Sequence, residues 1–183
     1  MNNITNKDIL INLDIALNKT GLSILDTKDN ILYSEVVTVK SHWEYYKKLN
    51  HLYEYYLKFF DKVFNLKPKS VLLILEGRLK AGFSGNTLAS IEGARTTAYR
   101  AYYIVCHKHE VDVRMKIYDP QTVKQYFSGR RNADKELMYK SALSRFSSLN
   151  TVEFQEDIYD SLYLGLYHLH ASKKVTPSKR KKK

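Results

Sequence analysis

The sequence contains almost no cysteine: Cys106 is the one cysteine among 183 residues. A single thiol excludes an intramolecular disulfide and fits a reducing compartment. It also leaves only histidines and carboxylates as ligands for a zinc ion, which argues against a zinc site. Because Cys106 directly follows the apolar stretch at 101–105, we expect it to be a small buried core residue rather than a nucleophile.

Long apolar runs are also absent. The longest strongly apolar run, VLLIL at 71–75, is far shorter than the roughly 20 residues that a membrane-spanning helix needs. The first ten residues are polar and lack the apolar core of a signal peptide. We therefore expect a cytoplasmic protein that is not associated with a membrane.

Glycine is scarce early in the chain, where none precedes Gly21. Actin-like and kinase-like ATPases need glycine-rich phosphate-binding turns after the first strand and again after a later strand. The lack of the first turn argues against such an ATPase. So does the length of the chain, which is too short for the two subdomains of that fold.

Acidic residues are fewer than basic ones. The chain has 19 Asp and Glu against 30 Lys and Arg, a net charge of +11. Seven of the basic residues lie in the segment KKVTPSKRKKK at 173–183, which leaves a net charge of +4 on the rest. Like charges repel and cannot be buried, so we expect residues 1–172 to form one domain and 173–183 a disordered tail. The tail suits a polyanionic partner, although a purely solubilising role stays open.

The apolar pattern predicts three strands followed by alternating helices and strands. Apolar or β-branched runs indicate strands over 9–17, 21–26, 31–39, 71–76 and 111–118. Helical spacing predicts helices over 42–64, 87–109, 122–127 and 156–172, and a further one from the N-cap Asn132 to 147. Short connections make the first three strands an antiparallel meander, and helical crossovers let the later strands join in parallel. The expected fold is an α/β domain with a mixed five-stranded sheet and helices on both faces.

Four carboxylates lie at positions where a charged group needs a cation, a hydrogen bond or a proton. Asp14 interrupts the buried strand ILINLDIAL, and Glu76 closes the buried strand VLLIL. Asp157 and Asp160 lie three residues apart, on one face at the start of the last helix. Ordinary alternatives stay open, since the helix acids also suit the positive end of a helix dipole and Glu76 also suits a solvated strand end. Asp14 is the hardest to explain in that way, because a buried carboxylate is costly without a cation or a proton.

A cluster of such acids suits a hard divalent cation. Converging carboxylates repel one another, and Mg²⁺ takes oxygen ligands of this kind together with phosphate oxygens. Two ions about 4 Å apart can activate a water and stabilise the leaving oxygen of a phosphodiester. The sequence thus points to metal-dependent phosphodiester chemistry.

Three motifs along the chain resemble, in type and order, those of the RuvC family of Holliday junction resolvases. In the first, Asp14 is followed by Thr20-Gly21. The second consists of PQTVK at 120–124, Gly129 and ADK at 133–135. The third is DIYDSL at 157–162, followed by His168 and His170. Together the motifs span residues 9–171.

The resemblance implies a ribonuclease-H-like fold and a nuclease that cuts branched DNA. It implies that Asp14, Glu76, Asp157 and Asp160 bind the metal, with two Mg²⁺ per site and Mn²⁺ as a possible substitute. It places Lys124 and Lys135 near the scissile strand, while their ordinary interpretation as solvated surface lysines stays open. It also implies a homodimer that nicks two strands of a four-way junction and leaves a 5′-phosphate and a 3′-hydroxyl, a symmetry that matches the substrate.

The chain departs from the family at two places. Ile15-Ala16 stand where the family has Pro-Gly after the first acid. The loop after Glu76 holds Phe83, a candidate wedge at the junction centre that is equally suited to a core. Candidate phosphate contacts, by their charge, are Arg78, Lys80, Arg130 and Arg131. The compact, lysine-rich chain looks like a phage-borne member, which would act in the host cytoplasm.

Two other functions remain open at this point. The same fold serves nucleases that act on RNA/DNA hybrids or in RNA processing, and the same chemistry would cut forks or flaps. A basic DNA-binding module that keeps the fold without catalysis is the alternative that is not an enzyme.

Overall fold

The structure, a computed structural model, describes residue 1 and residues 3–77 and 85–171. Three strands come first, and helices then alternate with two more strands before the helical C-terminal part. The strands are β1 (Asp8–Ile15), β2 (Lys19–Asp26), β3 (Ile31–Thr38), β4 (Ser70–Glu76) and β5 (Met115–Tyr118). The helices are α1 (Tyr45–Asn65), α2 (Gly85–Lys108), α3 (Pro120–Ser128), α4 (Lys135–Leu143) and α5 (Glu156–Ala171), with a 3-10 helix at Ser147–Thr151.

The strands form one mixed sheet in the order β3-β2-β1-β4-β5. β1 pairs antiparallel with β2, and β2 with β3, as short connections require. β4 pairs in parallel with β1 and β5 in parallel with β4, each after a helical crossover. The prediction of a mixed five-stranded α/β sheet is confirmed.

Helices cover both faces of the sheet. On one face α1 and α2 pack against alternate strand residues such as Ile11, Leu13 and Leu73. On the other face α3, α4 and α5 pack against residues that include Leu10 and Ile74. Cys106 is buried in the first of these cores, as expected for a structural residue. Within the described ranges, none of the helices has the length and apolar character of a membrane span.

The predicted start of the last strand was wrong. The last strand begins at Met115 rather than at 111, because its ladder with β4 begins only at the pair Leu73–Met115. Val111 and Val113, which suggested a longer strand, are exposed. Both therefore lie in the connection that precedes β5.

The N-cap of α4 is Asp134 and not Asn132. The Asp134 side chain accepts a hydrogen bond from the backbone N–H of Leu137 at 2.8 Å, which satisfies a free amide of the first turn. The helix then ends at Leu143 rather than at 147. Just beyond it, the Arg145 guanidinium donates to the Tyr126 carbonyl oxygen at 2.8 Å, which ties the chain to α3.

Candidate active site

Two carboxylates lie side by side at one edge of the sheet. Asp14 is the penultimate residue of β1, and Glu76 is the last residue of β4. The parallel register pairs Leu13 with Leu75, so the two acids come next on their neighbouring strands. Their carboxyl groups lie close enough for each to influence the pKa of the other. The two strands therefore bring Asp14 and Glu76 to one position of the sheet.

A glycine brings the helix acids to the same edge. Gly21 is paired with Asp14 across β1 and β2. A Cβ at position 21 would lie 1.7 Å from the backbone carbonyl oxygen of Asp157, so the first turn of α5 rests directly on the strand. Only glycine permits such a close approach of two backbones. Asp157 and Asp160 consequently lie one helical turn apart, next to the strand that carries Asp14.

Thr20 stabilises the turn between β1 and β2, next to the contact between Gly21 and Asp157. Its hydroxyl donates to the Ala16 carbonyl oxygen at 3.3 Å and accepts a hydrogen bond from the Tyr56 hydroxyl at 3.0 Å. Both Thr20 and Tyr56 are fully buried. The Thr-Gly pair thus has a physical explanation, since the threonine fixes the turn and the glycine admits α5.

A cleft of about 210 Å³ opens at this edge of the sheet. Asp14, Glu76 and Asp160 line it together with Lys124 of α3 and Lys135, the first residue of α4. The rest of the lining is Pro120, Val123, Met138, Tyr163 and Leu164. Residues that are far apart in the sequence thus form one small site with three acids and two cations.

The acids of the cleft resist ionising together. Burial, and next the negative charges of Glu76 and Asp160, raise the pKa of Asp14 well above its ordinary value. Burial also raises the pKa of Glu76, although the positive charges of Arg95 and Lys124 oppose the shift. Carboxylates in this situation favour a proton or a metal cation between them.

Lysines provide the positive charge around the helix acids. Lys135 lies 3.4 Å from Asp160 and also pairs with Glu156. Burial raises the pKa of Asp160, and the charge of Lys135 is the largest influence that lowers it. Asp157 pairs instead with Lys19, the first residue of β2, at 3.0 Å. Asp157 is thus turned toward this lysine, and the described cleft lining does not include it.

Two of the other predicted site residues, Arg130 and Arg131, are not part of the described cleft lining. Arg130 and Arg131 are exposed in the connection between α3 and α4, just after Gly129 ends α3 with a φ of 75°. Arg78, Lys80 and Phe83 lie outside the described residues, as does the basic tail.

The two histidines of the closing motif contact residues that do not line the described cleft. A ring nitrogen of His168 is hydrogen-bonded to the Tyr118 hydroxyl at 2.6 Å, and His170 pairs with Asp29 at 2.7 Å. Both lie in the last turn of α5, whereas the helix acids lie near its start. These contacts support a structural role for the histidines.

Two residues near the acids were not identified from the sequence. Lys19 looked like an ordinary turn lysine, and Arg95 an ordinary residue of α2. Arg95 is only 11% exposed, and its guanidinium donates to Glu92 at 2.6 Å. Its Nε is buried and has no hydrogen-bond partner within the described residues. Its low exposure depends on tertiary packing, so no local signal in the sequence identifies it.

The donor chemistry of the cleft fits a hard divalent cation. The described residues hold no group of three or more His, Cys, Asp or Glu side chains already arranged to coordinate a metal. However, three partly buried acids converge here, and burial first, with their mutual negative charge after it, raises their pKa values, so a cation between them would be favoured. In this structure the ammonium group of Lys135 offsets part of the negative charge of Asp160, and that of Lys19 offsets the charge of Asp157.

Comparisons with known proteins identify the fold. No family model matches the sequence, and no curated protein matches it. The structure is similar to that of Thermus thermophilus RuvC, with a TM-score of 0.63 and 18% identity over 90% of this chain and 96% of that one. The same protein in complex with a Holliday junction substrate gives a TM-score of 0.64 at 18% identity, over 91% and 96% of the two chains.

A third similar structure is the yeast mitochondrial Holliday junction resolvase. Its TM-score is 0.55 at 11% identity, over 92% of this chain and 79% of that one. At these identities the similarity establishes the fold, which is the ribonuclease-H-like fold of RuvC.

Proposed function

We propose that this protein is a metal-dependent endonuclease that resolves Holliday junctions or other branched DNA by hydrolysing phosphodiester bonds. The observation that carries the proposal is the convergence of Asp14, Glu76 and Asp160 with two lysines in one cleft of a RuvC-like fold. A structural likeness does not by itself assign an activity, because one fold serves many functions. The site supplies the chemical argument.

In the proposal Asp14, Glu76, Asp157 and Asp160 hold two Mg²⁺ ions, for which Mn²⁺ can substitute. When bound, the metal supplies an activated water and stabilises the leaving oxygen of the phosphodiester. The chain itself supplies the alignment. Two acids are fixed by neighbouring strands and two by a helix that rests on Gly21, so none depends on a mobile segment for its place.

Lys124 and Lys135 bind the scissile phosphate in this mechanism. Both line the cleft beside the acids, and each carries a positive charge that a phosphodiester in the cleft would meet. Lys135 would exchange its ion pairs with Asp160 and Glu156 for the phosphate once the acids are neutralised. The lysines thereby reduce the repulsion between an anionic substrate and an anionic site.

In the proposal, further basic residues supply most of the affinity for DNA. Arg130 and Arg131 are exposed in the connection that leads to Lys135. On sequence grounds Arg78, Lys80, Phe83 and the tail at 173–183 are proposed as further contacts. Phosphate contacts of this kind release counterions, so affinity should fall steeply as salt increases.

The direct test is cleavage of a labelled four-way junction beside a linear duplex of the same sequence. We expect cleavage of the junction with Mg²⁺ and no cleavage with EDTA, while the linear duplex stays intact in both. Cleavage of forks and flaps as well would broaden the proposal to a debranching nuclease. Binding of the junction without cleavage under any metal would contradict the proposal and favour the non-catalytic DNA-binding module. Cleavage confined to RNA/DNA hybrids would favour the other nuclease branch.

We further propose that the protein acts as a homodimer through the outer face of α2. Tyr99, Tyr103 and Ile104 are 39%, 44% and 39% exposed on this helix, and the rings of Tyr99 and Tyr103 lie 6.3 Å apart. Arg100 is one helical turn before Ile104 and extends the same strip. An exposed strip of this kind marks an interaction surface, and aromatic residues and arginine are enriched in such surfaces. Two identical strips can meet around a two-fold axis.

Ile104→Glu should weaken this dimer at least roughly tenfold, because it places a charge at the centre of an apolar interface. Sedimentation velocity over a concentration series measures the effect. Ile117→Glu is the matched control, since Ile117 is a similarly exposed isoleucine on β5, at 51%. Equal weakening by both variants, or by neither, would contradict the assignment of the interface to α2.

A further inference from the structure

Asp157, in the first turn of α5, forms an ion pair with a lysine from another element. The Lys19 ammonium donates to Asp157 Oδ2 at 3.0 Å, over a separation of 138 residues in the sequence. The backbone on both sides of this pair is held in place. Lys19 accepts a hydrogen bond from the Ala16 N–H at 3.1 Å, and the Asp157 backbone lies against Gly21. The ion pair is therefore a built feature of the site.

The pair is also easy to open. The Lys19 side chain is 58% exposed and that of Asp157 is 27% exposed. An exposed ion pair of this kind contributes little to stability, because water solvates both charges well when they separate. Lys19 can move into solvent without leaving a cavity or an unsatisfied buried group. A divalent cation that reaches Asp157 can thus displace it.

We propose that Lys19 is a tethered competitor of the divalent cation for Asp157. This inference rests on the proposed function, because it takes Asp157 to be a metal ligand. In the metal-free protein the lysine neutralises Asp157 and keeps it turned away from the cleft. Metal binding then requires exchange of the ammonium for the metal, and Lys19 sets the metal concentration at which Asp157 joins the site. Lys19 is a positioning residue here and not a catalytic one.

Lys19→Gln should therefore tighten metal binding. The substitution removes the charge and keeps a side chain of similar length and polarity. We expect Mn²⁺ to bind up to about fivefold more tightly, the equivalent of about 1 kcal/mol for an exposed ion pair. Electron paramagnetic resonance of free Mn²⁺ measures this directly on the full chain without any DNA. The rise in melting temperature on adding Mg²⁺ should be larger than in the wild type as well.

Lys69→Gln is the matched control. Lys69 forms an exposed ion pair with Asp8 at 3.1 Å, at the start of β1 and thus at the opposite end of that strand from Asp14. Lys69→Gln changes the net charge by the same amount as Lys19→Gln and should leave the affinity for Mn²⁺ unchanged. Tightening in both variants would mean that overall charge is responsible and would overturn the inference.

A double-mutant cycle with Asp157→Asn separates competition from general electrostatics. When Asp157 is no longer a carboxylate, Lys19→Gln should have little further effect on Mn²⁺ affinity. Equal tightening in both backgrounds, or no tightening in the wild-type background, would overturn the inference. The proposed function itself fails in a different way, if the wild type binds no Mn²⁺ that depends on Asp14.

Discussion

Asp14→Asn should abolish cleavage and, in the same protein, raise the melting temperature of the metal-free state. The loss of activity should be about 1,000-fold or more, since a neutral amide is a poor ligand at the centre of the proposed metal site. The gain in stability follows from electrostatics. Asp14 is a buried carboxyl group beside Glu76 and Asp160, and the substitution removes a charge that the fold must otherwise hold there.

The gain in stability of the Asp14→Asn protein should depend on pH in a defined direction. Because the pKa of Asp14 is raised above its ordinary value of 3.8, the folded chain binds this proton more tightly than the unfolded chain does. The stability of the wild type should then fall as the pH rises through the raised value and stay lower above it. The advantage of Asp14→Asn is accordingly absent below the ordinary pKa and grows as the pH rises through the raised value. Thermal melts across this range, with EDTA and with Mg²⁺, measure it.

Asp8→Asn is a matched control on the same strand, because its expected behaviour is opposite. Hydrogen bonds from Ser70 and Lys69 lower the pKa of Asp8, so its carboxylate stabilises the fold above the ordinary pKa and loses that effect as the pH falls. We expect Asp8→Asn to lower the neutral-pH melting temperature slightly and to leave junction cleavage intact. A metal-free Asp14→Asn protein that melts below the wild type at neutral pH would contradict the electrostatic interpretation of the cleft.

Gly21→Ala should be one of the most destabilising single substitutions in the chain, although it adds only one methyl group. The new Cβ would lie 1.7 Å from the Asp157 carbonyl oxygen and 2.4 Å from its carbonyl carbon, and neither atom belongs to a flexible side chain. The first turn of α5 must move off β2. We expect a loss of about 3 kcal/mol or more in the free energy of unfolding, at or beyond the upper end for overpacked cores.

The same displacement should impair cleavage below the melting transition. Asp157 and Asp160 would shift relative to Asp14 and Glu76, and a shift of about 1 Å in an aligned site can cost about 100-fold in rate. Chemical denaturation and single-turnover cleavage at low temperature separate the two effects. Gly85→Ala provides the control, because a Cβ there would meet no atom within 4 Å. A Gly21→Ala protein as stable and active as Gly85→Ala would contradict the close contact between α5 and β2.

The kinds of element and their order could be predicted from the sequence, because the alternation of apolar residues carries that information locally. β1, β2 and β3 are short, β-branched and closely connected, which leaves an antiparallel meander as the simple solution. Asp14 and Glu76 also stand out locally. Each is an acid within or at the end of an apolar strand, where burial is costly without a partner.

Boundaries that depend on a partner could not be predicted in this way. The segment at 111–114 has the composition of a strand, yet β5 begins at Met115 because its ladder with β4 begins there. Asn132 and Asp134 are both good N-caps by residue type. The folded chain uses Asp134, which makes Lys135 the first residue of α4 and places it at the cleft.

The sequence by itself determined the α/β class, the sheet and the candidate acids, because strand periodicity and misplaced charges are properties of neighbouring residues. The tertiary structure alone decided how those acids are partnered. The contact of Gly21 with Asp157 and the ion pair of Lys19 with Asp157 join β2 to α5 across more than two thirds of the chain. Pairings over such distances depend on the packing of helix against sheet, and no local pattern of residues contains them.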